Sequence, residues 1–134
     1  MDRAIERSVR RRAAGRCEYC RMSQADDELP FEVDHIIAEQ HDGRTQEGNL
    51  CLACFSCTRH KGPNIAGVDP ETGNIVPLFN PRRQKWPRHF RWDGPVLTGR
   101  TASGRATIVV LKINLDYRID LRRALIEEGG FPPP

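Results

Sequence analysis

Residues 33–62 run VDHIIAEQHDGRTQEGNLCLACFSCTRHKG. With the two residues before it, this stretch carries four element signals in succession. From Phe31 to Ile37 the side chains alternate and include β-branched residues, the pattern of a strand. His41-Asp42-Gly43-Arg44 and Gln46-Glu47-Gly48 mark a long loop. Asn49 to Leu52 predicts a short return strand. Phe55 to Lys61 predicts a helix, stopped by Gly62-Pro63. Strand, loop, strand and helix in that order decide the reading of the whole chain.

Cysteine pairs bracket the unit. Cys17 and Cys20 form one Cys-x-x-Cys, Cys54 and Cys57 a second, with residues 21–53 between them. Four thiolates in two such knuckles suit tetrahedral zinc, each knuckle supplying two corners. The gap is longer than in ordinary zinc ribbons, and it leaves room for the strand–loop–strand. Cys51 and Cys54 also make a Cys-x-x-Cys. Cys51, however, sits in the apolar run Leu50-Cys51-Leu52 and is expected in the core. With all four positions of the zinc filled, the metal is expected to be structural.

Between the knuckles lies Asp34-His35. A carboxylate holds a hard divalent cation such as Mg²⁺ or Mn²⁺. An imidazole beside it can take a proton from water near neutral pH. The two together suit metal-assisted phosphodiester hydrolysis. Adjacent residues on a regular strand point to opposite faces, so the strand must end or twist there if both serve one site.

Outward from this centre the signals thin. Residues 2–14 predict a polar helix that begins near Asp2 and ends at Gly15, with Arg3, Arg7, Arg10 and Arg11 about a turn apart, on a solvated or a phosphate-facing side. SQADDELP (residues 23–30) is a loop. Downstream, DPETGN is a turn, and residues 80–99 suggest a helical turn followed by a hairpin turning at Asp93-Gly94. Ser103 to Asn114 is expected to be a helix capped by Ser103. Leu115 to Glu128 is expected to be an amphipathic helix facing inward through Leu115, Ile119, Leu121, Leu125 and Ile126.

Composition bounds the function. At 134 residues the chain holds one ordinary domain. With 38% hydrophobic residues its core is modest, so a metal clamp would help to hold it. The net charge of +3 is too small to name a partner. The basic residues are overwhelmingly Arg, which fits bidentate phosphate contact or simply a GC-rich coding sequence. No run reaches the roughly 18–20 apolar residues of a membrane span, and no export signal is legible. A cytoplasmic protein is expected, and in a reducing compartment paired cysteines are metal ligands before they are disulfides.

The quoted stretch resembles the HNH endonucleases, in their zinc-bearing subgroup. That signature runs Cys-x-x-Cys, Asp-His-Ile, a Gly-containing loop, Asn-Leu, then Cys-x-x-Cys-Asn-x-x-Lys-Gly. Residues 17–62 match it in order, and the text from Gly67 onward is similar to the C-terminal extension of small bacterial HNH proteins. The resemblance implies an α+β fold with a ββα-metal core. Residues 1–16 would form an N-terminal helix, 17–62 the zinc-clamped core and 63–134 a mixed extension of a single domain. It implies His35 as general base, Asp34 as ligand of the catalytic Mg²⁺ or Mn²⁺, and Asn49 as the brace of the loop that orients His35. The family's second ligand, Asn or His after the last cysteine, is here Thr58, a shorter and weaker donor. His60 lies about 200° away from position 58 on a helix, and His41 and His89 read as surface or packing histidines. Arg59 and Lys61 flank the site as candidate phosphate contacts. The substrate implied is double-stranded DNA, cut to leave a 5′ phosphate and a 3′ hydroxyl. The second reading, which Thr58 motivates, is a zinc-stabilised nucleic-acid-binding module of weakened catalysis, and the third is a protein-interaction domain.

Overall fold

Asp2 accepts the backbone N–H of Ala4 and so caps the first helix, α1 (Arg3–Arg12). The computed structural model describes residues 1–133. Three arginines in the last turn of α1 complement its dipole, and only Val9 of this helix is buried. Two of the arginines are engaged at home. Arg10 donates to the Phe31 carbonyl, and Arg12 to the carbonyls of Glu47 and Leu50. These bonds lay α1 along the strand pair that follows.

That pair is β1 (Glu32–His35) against β2 (Leu50–Ala53), antiparallel, with Asp34 opposite Cys51 and His35 opposite Leu50. The strand expected over residues 31–37 ends at His35. Ile36 N–H still reaches the Asn49 carbonyl, but the Asn49 side chain then takes both backbone groups of Ile37 and turns the chain away. The return carries a close approach at Gly43, where a Cβ would fall on the carbonyl oxygen of Ile37. Helix α2 (Phe55–Lys61) follows β2, with Cys54 as its N-cap and Gly62, at φ 52°, as its end. Strand, loop, strand and helix thus form the ββα unit read from residues 31–62, in an α+β chain.

The extension adds two hairpins and three helices. A hairpin of β3 (Ala66–Val68) and β4 (Ile75–Pro77) surrounds the DPETGN turn; its three-residue strands are too short for a periodic signal. Asp69 holds the turn, accepting from Glu71 N–H and the Thr72 hydroxyl and pairing with Arg105 through both carboxylate oxygens. Helix α3 (Trp86–His89) leads into β5 (Phe90–Asp93) and β6 (Val96–Gly99). Asp93 pairs with Val96, so the hairpin turns at Gly94-Pro95, one residue later than expected. Helix α4 (Ala102–Val110) is capped by Thr101 and not by Ser103. Lys112, at φ 49°, ends the helical run short of Asn114.

Helix α5 (Asp116–Glu127) faces inward through Leu125, with Leu121 and Ile126 half-buried against the core as expected, and also through two arginines. Its buried residues are Arg118, Arg122 and Leu125, and Leu115 is its N-cap. Two arginines occupy the inward face because each finds partners there. Arg122 donates to the carbonyls of Pro95 and Ile113 and to Asn114 Oδ1, and Arg118 to Asp27 and the Cys54 sulfur. The hydrophobic core runs through all three stretches, from Val9 through Phe31 and Leu52 to Phe79, Phe90, Leu111 and Leu125. Among the described residues no helix is long and apolar enough to cross a membrane.

Candidate zinc and nuclease site

The four knuckle cysteines converge. The sulfurs of Cys17, Cys20, Cys54 and Cys57 all lie within 4.8 Å of one another, and all four residues are buried. Each knuckle has the same local geometry: Cys20 N–H points at the Cys17 sulfur (3.5 Å) and Cys57 N–H at the Cys54 sulfur (3.4 Å). The donor set suits a structural zinc, because four thiolates leave no open coordination position. Among the metal-free thiols, hydrogen bonds from Cys17, then Cys54 and Cys57, hold Cys20 well below the usual thiol range. Bonds within the same cluster, led by Cys17, hold Cys54 and Cys57 above it.

Cys51 lies outside this cluster. It is buried on β2 against the Tyr19 hydroxyl, and burial pushes its thiol up to about 12. It is a neutral core side chain.

A second centre opens beside β1. Asp34, His35, Glu39 and Thr58 line one cleft of about 460 Å³, together with Gly62 and Pro63. Because β1 stops at His35, Asp34 and His35 both reach it. His35 Nε2 lies 2.8 Å from the Thr45 hydroxyl and 3.8 Å from a Glu39 carboxylate oxygen. The Glu39 carboxylate can only accept and so favours a proton on Nε2, which leaves Nδ1 the free lone pair; the Thr45 hydroxyl can accept that proton. Thr45 was not legible as a site residue, since a threonine ten positions downstream in a polar loop carries no signal of its own.

Asn49 is buried and uses its whole amide. Its Oδ1 accepts Ile37 N–H, and its Nδ2 donates to the carbonyls of Ile37 and Arg44, each at 2.9 Å. These bonds tie both ends of the loop that carries Glu39. The Thr58 hydroxyl is buried without a hydrogen-bond partner. An unsatisfied buried oxygen costs roughly 1–3 kcal/mol, and here it sits in the cleft that Asp34 enters. Those residues fit a hard cation: a carboxylate, a hydroxyl oxygen with nothing else to bind, and open solvent for water ligands.

The remaining candidates are spread differently. Arg59 is exposed on α2. Lys61 is 2% exposed and donates to the Ile36 carbonyl at 2.9 Å. Through that bond Lys61 braces the end of β1, and it also lines a pocket with Asn64 and Arg83. Burial lowers its pKa, and the nearby Asp34 charge works against that shift. His60 bonds the Ser56 carbonyl through Nδ1 and does not line the cleft. His41 is exposed, and His89 bonds Thr101.

The ββα unit carries both a four-cysteine cluster and a cleft lined by Asp34 and His35. Residues 17–64 match the family model of the HNH endonucleases. No curated protein and no solved structure matches the chain. The domain points to nuclease or nucleic-acid-binding function.

Proposed function

We propose that this protein is a divalent-metal-dependent endonuclease that hydrolyses phosphodiester bonds in double-stranded DNA, within a single domain stabilised by zinc. The observation that carries the reading is the cleft shared by Asp34, His35 and the unpaired Thr58 hydroxyl. His35 takes the proton of the attacking water at Nδ1, while Thr45 accepts the Nε2–H and holds the ring. Asn49, by tying the loop at Ile37 and Arg44, keeps the neighbourhood of His35 from shifting. Asp34 and Thr58 would hold Mg²⁺ or Mn²⁺, which supplies charge stabilisation for the pentavalent phosphate and the leaving 3′ oxygen. Arg59, exposed on α2, can meet a flanking phosphate.

Plasmid cleavage in Mg²⁺ or Mn²⁺ separates this reading from its rivals. The natural chain should cut, and His35→Ala should lose cutting while keeping zinc and fold. Absence of cleavage with salt-dependent DNA binding would replace the enzyme by a binding module. Absence of both would leave a protein-interaction domain.

A further inference from the structure

Away from the cleft, the chain's two tryptophans, Trp86 and Trp92, line the largest groove among the described cavities, about 690 Å³, together with Arg12, Arg16 and Arg21. We propose that this groove holds a single-stranded segment of nucleic acid, its phosphates on the arginines and a base against the indoles. The inference rests on the nuclease or nucleic-acid-binding reading above and names where the substrate's unpaired strand would lie.

Charge comes first. Among the described residues none of the three guanidiniums is in an ion pair, whereas Arg82, Arg105, Arg118 and Arg123 each meet a carboxylate. The three are spent only in part on the protein. Arg12 and Arg16 donate to backbone carbonyls, and Arg21 lies over the Trp86 ring at 5.1 Å. A guanidinium has five donors, so each keeps free N–H groups for phosphate oxygens. A groove with that much unneutralised positive charge and no acidic lining selects a polyanion.

Aromatic surface comes second. Trp86 is fixed by its indole N–H to the Tyr19 carbonyl, at 2.8 Å, and Trp92 packs edge-on against Phe131. The two rings lie 5.9 Å apart, and both are half-buried. A phosphate needs no such wall, but a base does, since every base offers a π face for stacking. Duplex DNA hides those faces inside its own stack, so the combination favours an unpaired strand. Position comes third. Arg12 donates to the Leu50 carbonyl at 2.7 Å, and Leu50 is the residue paired with His35 across β1 and β2. One end of the groove is thus pinned to the strand pair that carries the cleft.

Because both tryptophans line the groove, intrinsic emission reports on it directly. Titrating the zinc-loaded His35→Ala protein, without Mg²⁺, with an eight-nucleotide single strand should quench tryptophan emission saturably. The matched duplex should quench it far less, and inorganic phosphate not at all. Arg16→Gln should weaken binding several-fold and lower the slope of log affinity against log salt by about 0.7, the loss of one phosphate contact on a single strand. Arg123→Gln, of equal charge change on α5, should do neither. An unchanged emission, an equal response to phosphate alone, or an Arg16→Gln protein that binds like the parent would overturn the groove. Plasmid cleavage by the natural chain is read separately: cutting without groove binding leaves the cleft standing, and groove binding without cutting leaves the groove standing alone.

Discussion

Arg118 on α5 places its Nη2 3.6 Å from the sulfur of Cys54, while the same nitrogen pairs with Asp27 at 3.1 Å. The residue is buried, and it joins the last helix to a cysteine cluster that lies wholly within the HNH segment. Four thiolates around a dication carry net negative charge, so a buried cation beside them is stabilising. The nearby thiols and Asp27 hold the Arg118 guanidinium firmly in its charged form despite the opposing effect of burial.

Arg118→Leu should therefore destabilise the protein and loosen its metal. Removing one partner of a buried ion pair leaves Asp27 uncompensated and costs on the order of 3 kcal/mol. The urea midpoint should fall, and zinc should pass faster to a chromogenic chelator. A variant with the parent's midpoint and release rate would reduce the contact to incidental packing.

The division of labour among the cysteines gives a sharper contrast. Cys57→Ala should lose zinc and unfold or aggregate, because structural zinc binding supplies folding free energy. Cys51→Ala should keep one zinc per chain and lose only about 1–2 kcal/mol, the cost of a small core truncation beside Tyr19. Metal content after gel filtration decides the matter, and zinc lost from Cys51→Ala but kept by Cys57→Ala would reverse the assignment.

The cysteine cluster was readable because metal ligands tolerate few substitutes. Cys17, Cys20, Cys54 and Cys57 announce themselves by spacing, and Asp34-His35 by its place between them. The inward roles of Arg118 and Arg122 were not legible, for the opposite reason. A periodicity reading takes charge as outward-facing, and nothing local reveals that Asp27, a thiolate and three carbonyl or amide oxygens wait on the inner face. The bracing bond of Lys61 was hidden for the same reason, since its partner is the Ile36 carbonyl, a group that no side-chain pattern encodes. Thr45 meets His35 only through the fold of a ten-residue loop.

His89 makes the extension acid-sensitive. Its Nδ1 lies 2.6 Å from the Thr101 hydroxyl, which caps α4 by accepting Gly104 N–H and can donate to a neutral imidazole. Burial, and then the Arg88 charge, lower the His89 pKa below its ordinary value of 6.5. The folded state thus resists a proton that the unfolded chain accepts. Stability contributed by the neutral ring is present above pH 6.5 and is lost as pH falls from there through the lowered folded value. A cation at the N-terminus of α4 would also oppose the helix dipole. His89→Asn keeps an acceptor for Thr101 but cannot titrate, so its Tm should fall less between pH 7.5 and 5.5 than that of the parent. Equal falls would show that the acid response arises elsewhere, at the cysteine cluster first.

Thr58 offers a test of the metal that does not depend on turnover. Its hydroxyl is buried without a partner, and it does not bond back to the Cys54 carbonyl one turn earlier, which takes its backbone N–H. Thr58→Val keeps the shape and removes the unsatisfied oxygen, so without divalent metal the variant should be as stable as the parent or more so, by about 1 kcal/mol. Mg²⁺ should raise the Tm of the parent, by linkage to a site present only in the folded state, and raise that of the Val variant less. Thr58→Asn runs the other way. An amide oxygen reaches further than a hydroxyl and is a better donor to a hard cation. Half-saturating Mg²⁺ should fall on the order of tenfold, the equivalent of about 1.4 kcal/mol, and cleavage at low Mg²⁺ should rise. Zinc content should stay the same in both variants, because position 58 lies outside the four-cysteine cluster. Identical Mg²⁺ responses in parent, Val and Asn proteins would remove residue 58 from the metal site and leave Asp34 its only protein ligand in the cleft.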